Sequence, residues 1–137
     1  MERTFYNEAE LRAFAVEFSG TLKAGDIVGL SGALGSGKTA FVRAIVAARL
    51  GDDRATSPSF TFWHRYEGRP PVDHLDLYRI EDPSELRDLG LEDALTGDSI
   101  VLVEWCEHAH SLIPHFDYVV NIHGSGDEPR HLRIEKR

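Results

Sequence analysis

The sequence predicts a single α/β domain, a mostly central β-sheet flanked by helices, with an antiparallel pair of strands at its C-terminal end. Three observations lead there. Residues 27–50 read as strand, glycine-rich loop and helix, in that order. Ser99-Ile100-Val101-Leu102-Val103 is the most continuous apolar strand signal in the chain, as burial on both faces of a sheet requires. Residues 117–122 and 131–135 read as two strands joined across Gly124-Ser125-Gly126-Asp127-Glu128-Pro129. With 137 residues, 42% of them hydrophobic, the chain holds one core and is too short for two ordinary domains.

The elements follow in order. Asn7 before Glu8-Ala9-Glu10 resembles a capping box, and Leu11, Phe14, Ala15, Phe18 and Leu22 then recur at helical spacing, so an amphipathic helix begins near residue 8. Lys23-Ala24-Gly25-Asp26 is a turn, and Ile27-Val28-Gly29-Leu30 a short buried strand. After the glycine loop, residues 40–50 are rich in helix formers, with Phe41, Ile45 and Ala48 on one face and Gly51 as the stop signal. Residues 72–78 are consistent with an alternating strand that leaves Asp76 at the surface. Residues 81–87 look like the start of a short acidic helix, an exposed connector or docking face.

Composition excludes several functions. A formal charge of −8 opposes tight, unaided binding of nucleic acid. A single cysteine, Cys106, rules out an internal disulfide and any multi-cysteine metal site. No apolar run reaches the roughly 20 residues of a membrane span, and the opening MERTFYNEAE lacks the order of a signal peptide, so a soluble, cytoplasmic protein is expected. His108 and His110 beside Cys106 lack a convergent ligand set, and a solvated helix face is the better account of them. There is no GxSxG nucleophile elbow.

Chemistry concentrates at residues 32–39, Gly-Ala-Leu-Gly-Ser-Gly-Lys-Thr, which match the GxxxxGK[ST] phosphate loop and make the expected fold P-loop NTPase-like. Gly32, Gly35 and Gly37 let successive backbone N–H groups converge on phosphate oxygens, and the positive end of the following helix adds to their pull. Ser36 and Ala40 complete the predicted nucleotide-binding set, Lys38 faces the terminal phosphates, and the Thr39 hydroxyl is the expected Mg2+ ligand. A carboxylate just past a buried strand lies where ligands gather in open α/β sheets, which makes Glu104 the first catalytic and metal candidate. Asp76 is the second.

Four separated segments, GALGSGKT (32–39), SPSF (57–60), HLDLYR (74–79) and VEW (103–105), carry a resemblance to the TsaE (YjeE) family of small bacterial ATPases over almost the full length. The resemblance implies an ATP- and Mg2+-dependent accessory ATPase of tRNA threonylcarbamoyladenosine formation. Its implied partners are TsaB and TsaD, with tRNA met only through their complex. It also implies a switch segment at Ser57, Pro58, Ser59 and Phe60. From the residues alone, Ser-Pro-Ser is equally ordinary turn chemistry.

The same resemblance makes Asp76 a functional aspartate, holding a metal-bound water or orienting the attacking one, and Glu104 a magnesium-associated glutamate. Trp105 matches the family's tryptophan, a switch or partner contact where a buried aromatic is the plain alternative. Asn7 and Arg130 match positions that flank the nucleotide, although a helix cap and a solvated strand-end charge also explain them. Two positions depart from the family: Ala33 where an acid is common, and Ser59 where threonine is. A small-molecule kinase and a noncatalytic nucleotide-sensing adaptor are the alternative functions, and the absence of an NKxD motif disfavours a GTPase.

Overall fold

The computed structural model describes residues 1–51, 62–82, 84–88, 90–109, 113 and 115–137. Seven strands form one sheet in the order β1-β7-β6-β2-β5-β4-β3, with β1 Glu2–Phe5, β2 Ile27–Ser31, β3 Trp63–Tyr66, β4 Val72–Asp76, β5 Ile100–Glu104, β6 Tyr118–His123 and β7 Arg130–Lys136. The four central strands, β6, β2, β5 and β4, run parallel, while β7 pairs antiparallel with β6, β1 antiparallel with β7, and β3 antiparallel with β4. The predicted C-terminal pair therefore extends the sheet through β6. The two edge strands β1 and β3 were not foreseen.

Helix α1 (Glu8–Ser19) begins where predicted, with the Asn7 Oδ1 accepting from the Glu10 N–H at 2.8 Å. The reciprocal half of the capping box is displaced: the Glu10 carboxylate accepts from the Tyr6 N–H rather than from Asn7. Helix α2 (Lys38–Leu50) starts two residues earlier than predicted and ends at Gly51, whose left-handed backbone (φ 79°) lets its N–H reach the Ala47 carbonyl. Phe14 and Phe18 of α1 pack on Phe41 of α2, and with Ile45, Val28, Leu30, Val72, Ile100 and Leu102 they make the core on one face of the sheet.

A second core fills the other face, from Leu75, Leu77, Val101, Val103, Leu86 of the short helix α3 (Ser84–Asp88), and Leu91 and Ala94 of a 3₁₀ turn. Strand β4 is consequently buried on both faces from Val72 to Leu75, not alternately exposed, because both layers cover it. Asp76, at its end, is half-buried rather than at the open surface.

The segment after β5 also departs from expectation. Cys106–His108 is a 3₁₀ turn, not a solvated helix face, since Cys106 is buried and His108 pairs through Nδ1 with the Leu77 carbonyl at 2.6 Å. His110 lies outside the described residues, among which no three or more His, Cys, Asp or Glu side chains gather to hold a metal ion. Burial pushes the Cys106 thiol up to about 11, so it stays a neutral thiol at neutral pH.

Candidate functional site

The parallel strands all point the same way, so their carboxyl ends collect at one edge. There β2 runs into the glycine loop, β4 ends in Asp76 and β5 in Glu104, whose Cα partners are Leu30 on one side and Asp76 on the other. Period-two geometry carries His74, Asp76, Leu102 and Glu104 to the same face, the one that α2 covers. Thr39 in the first turn of α2 completes the arrangement.

The loop has the backbone its glycines permit. Gly32, Gly35 and Gly37 take φ values of 148°, 79° and 113°, a region that other residues resist. A Cβ on Gly32 would stand 2.3 Å from the Ile122 carbonyl oxygen, so only glycine fits against β6 there. Gly37 is the N-cap of α2 and offers no side-chain cap, in contrast to Asn7 on α1. The first-turn N–H groups of α2, which have no intrahelical acceptors, are thus left to a ligand with negative charge.

The Lys38 ammonium donates to the Gly32 carbonyl at 2.6 Å and to Ala33 at 3.0 Å, and lies 4.2 Å from the centre of the Trp105 ring. Burial lowers its pKa, against the opposing pull of Glu104, Glu107 and Asp76. Thr39 donates through Oγ1 to Glu104 Oε1 at 3.0 Å, while His74 Nε2 meets the other carboxylate oxygen at 2.5 Å. Desolvation raises the Asp76 pKa, partly countered by the Tyr78 N–H that its carboxylate accepts at 3.0 Å, and Glu104 pushes it further up. Asp76, Glu104 and the Thr39 hydroxyl are hard oxygen donors of the kind that suits Mg2+. With the uncapped helix start and the loop's glycines, these residues fit a magnesium-bound nucleotide.

Lys38, Thr39, Ala40, Asp76, Glu104 and Trp105 all line a cleft of about 970 Å³. Trp105 is held with φ 58°, unusual for a bulky residue, and packs against Tyr78 and His108. Asn7 and Arg130 line an adjoining recess on the other side of Gly35, Gly37 and Ala40. Arg130 is no solvated charge: its Nε donates to the Ser36 carbonyl at 2.9 Å and its Nη2 to Gly35 and Gly126. Ser36 turns its side chain inward, fully buried, toward Gly32. Ser57, Pro58, Ser59 and Phe60 lie outside the described residues. The residue that the strand pattern failed to single out is His74, whose pairing with Glu104 joins two segments 30 residues apart.

A parallel-cored sheet with a glycine loop feeding an uncapped helix, and acids at the neighbouring strand ends, defines a P-loop-like α/β domain. Residues 5–132 match the family model described as "Threonylcarbamoyl adenosine biosynthesis protein TsaE". The chain belongs to the TsaE family. It is 39% identical over 130 residues to the tRNA threonylcarbamoyladenosine biosynthesis protein TsaE of Rickettsia bellii, covering 93% of this chain and 90% of that one. To the protein of the same name from Bacillus subtilis it is 38% identical over 128 residues, 92% of this chain and 79% of that one. The crystal structure of Bacillus subtilis YdiB superimposes with a TM-score of 0.82 at 28% identity, covering 99% of this chain and 84% of the other.

Proposed function

We propose that this protein is a weak, Mg2+-dependent ATPase that supports tRNA threonylcarbamoyladenosine formation by acting on a TsaB–TsaD complex in the cytoplasm. Its relatives are named for that modification. The observation that carries the nucleotide reading is the Thr39–Glu104 pair beside Lys38 at the uncapped start of α2, with Asp76 in register next to it.

In this reading the loop N–H groups and Lys38 bind the phosphates, and Lys38 exchanges its carbonyl partners for phosphate oxygens. Thr39 and Glu104 would hold Mg2+, which supplies charge neutralisation on the triphosphate. Asp76, its pKa raised, sits at the strand end where it can orient a water and accept its proton. Arg130 fixes the loop from behind through the Ser36 carbonyl and leaves the N–H side free for ligand. Contact with tRNA comes only through the partners, in keeping with the charge of −8. Among the described residues no helix is long and apolar enough to cross a membrane.

The test is phosphate release from Mg–ATP by the purified protein, alone and with TsaB and TsaD, with Lys38→Ala as control. A Lys38-dependent rate that the partners change supports the reading. A Lys38-dependent rate indifferent to them redirects the search to kinase acceptors, and ATP binding without turnover favours a nucleotide-sensing adaptor.

A further inference from the structure

Glu104 is 2% exposed and His74 1% exposed, so the carboxylate and imidazole meet where water does not compete. The two Glu104 oxygens have separate partners, Thr39 Oγ1 on Oε1 and His74 Nε2 on Oε2. His74 Nδ1 is buried without a hydrogen-bond partner. The arrangement that leaves no buried N–H unpaired therefore puts the ring proton on Nε2, donating to the carboxylate. His74 sits two residues before Asp76 on the same face of β4, and the parallel register locks it beside Leu102 and behind Glu104.

Resting on the nucleotide reading above, we propose that His74 is a positioning residue for Mg2+ binding. It holds Glu104 by one oxygen and so presents the other, beside the Thr39 hydroxyl, to the cation. The nearest precedent in physical terms is general: groups that hydrogen-bond a metal ligand fix its orientation, and their loss weakens metal affinity about 10–100-fold. His74 has no other visible task, since its second nitrogen touches no polar group, and a strand interior buried on both faces would otherwise favour an apolar side chain.

The experiment measures Mn2+ affinity by electron paramagnetic resonance on the full chain, in the presence of a non-hydrolysable ATP analogue. The variants are His74→Leu, His74→Gln and His74→Asn. Glutamine places an amide N–H at the position of Nε2, whereas the asparagine amide reaches only that of Nδ1. Expected are a loss of about 10–100-fold in Mn2+ affinity for Leu and Asn and recovery of most of it in Gln, with the metal-free affinity for the analogue unchanged in all three.

If Gln and Asn are equally impaired, or all variants bind Mn2+ as the native protein does, the proposal is overturned. Should His74→Leu fail to fold, the Gln-against-Asn comparison still decides. Lys38→Ala in the same assay separates the two readings. If it binds the analogue normally, the nucleotide reading fails and takes this proposal with it; if it loses the analogue while the His74 variants behave as the native protein, His74 alone has been misread.

Discussion

Thr39 and Glu104 stand 65 residues apart in the chain, yet the hydroxyl of one donates to the carboxylate of the other at 3.0 Å. That bond ties the first turn of α2 to the end of β5, and Glu104→Ala should break it. The variant leaves Thr39 and His74 without their acceptor, at about 1–3 kcal/mol of stability. It should remain folded while Mg2+-dependent ATP hydrolysis falls about 100-fold. Thermal melting and phosphate release check both parts, and unimpaired turnover in folded protein rejects Glu104 as a metal ligand.

Lys38→Ala should act oppositely on binding and on stability. In the proposed reading Lys38 is a desolvated cation turned to phosphate, and its loss should weaken ATP by about 2–5 kcal/mol. The fold loses little, since burial already disfavours the charged ammonium. Calorimetric titration with Mg–ATP should show the loss, at a melting temperature equal to or above that of the native protein.

Asp76 supplies the pH dependence. Its pKa is raised in the folded protein, so the fold binds the proton more tightly than the unfolded chain does. The resulting stability is fully present below the ordinary aspartate range and is lost as pH rises through the raised value. Asp76→Asn should therefore melt higher at neutral pH, by about 2–4 °C for each kcal/mol relieved in a domain near this size, with the difference shrinking in acid. Hydrolysis should fall. A variant less stable at neutral pH would contradict this assignment.

Trp105 offers an optical readout. The chain has two tryptophans, and Trp105 alone stacks on the Lys38 ammonium, whereas the Trp63 indole donates to Asp73. Mg–ATP should change the intrinsic fluorescence as Lys38 turns to phosphate, and Trp105→Phe should abolish the change. Its persistence in that variant would assign the change to Trp63 and reject Trp105 as its source.

Asp73 tests the separation of stability from function. Fully buried, it accepts from Trp63 at 2.8 Å, Arg65 at 3.2 Å and Ser99 at 2.5 Å, at the opposite end of β4 from Asp76. Asp73→Ala should cost about 2–4 kcal/mol by leaving buried donors unpaired. Chemical denaturation should show the loss, and ATP affinity measured well below the melting temperature should be unchanged.

What the sequence disclosed follows a physical division. The glycine loop and the runs of β2 and β5 were legible because local rules govern them: backbone freedom at Gly32 and Gly37, continuous apolarity where both faces are covered. Glu104 was legible from its place just past such a run. The His74–Glu104 bond was not, because register between strands is a non-local outcome. Strands β1 and β3, four residues each at the sheet edges, carry too short a pattern, and β4 misled because its polar residues are buried in pairs rather than exposed. Arg130 looked like any strand-end charge until the hairpin brought it beneath the loop.

That hairpin has a consequence for engineering. Gly32 is wedged against the Ile122 carbonyl of β6, and Arg130 of β7 grips the carbonyls of Gly35 and Ser36. The eight-residue motif is thus clamped at its entrance and along its back by strands from the far end of the chain. It is not a portable cassette: grafted elsewhere without β6 and β7 it would lose its shape, and removal of the last hairpin would unmake the loop while every motif residue stayed in place.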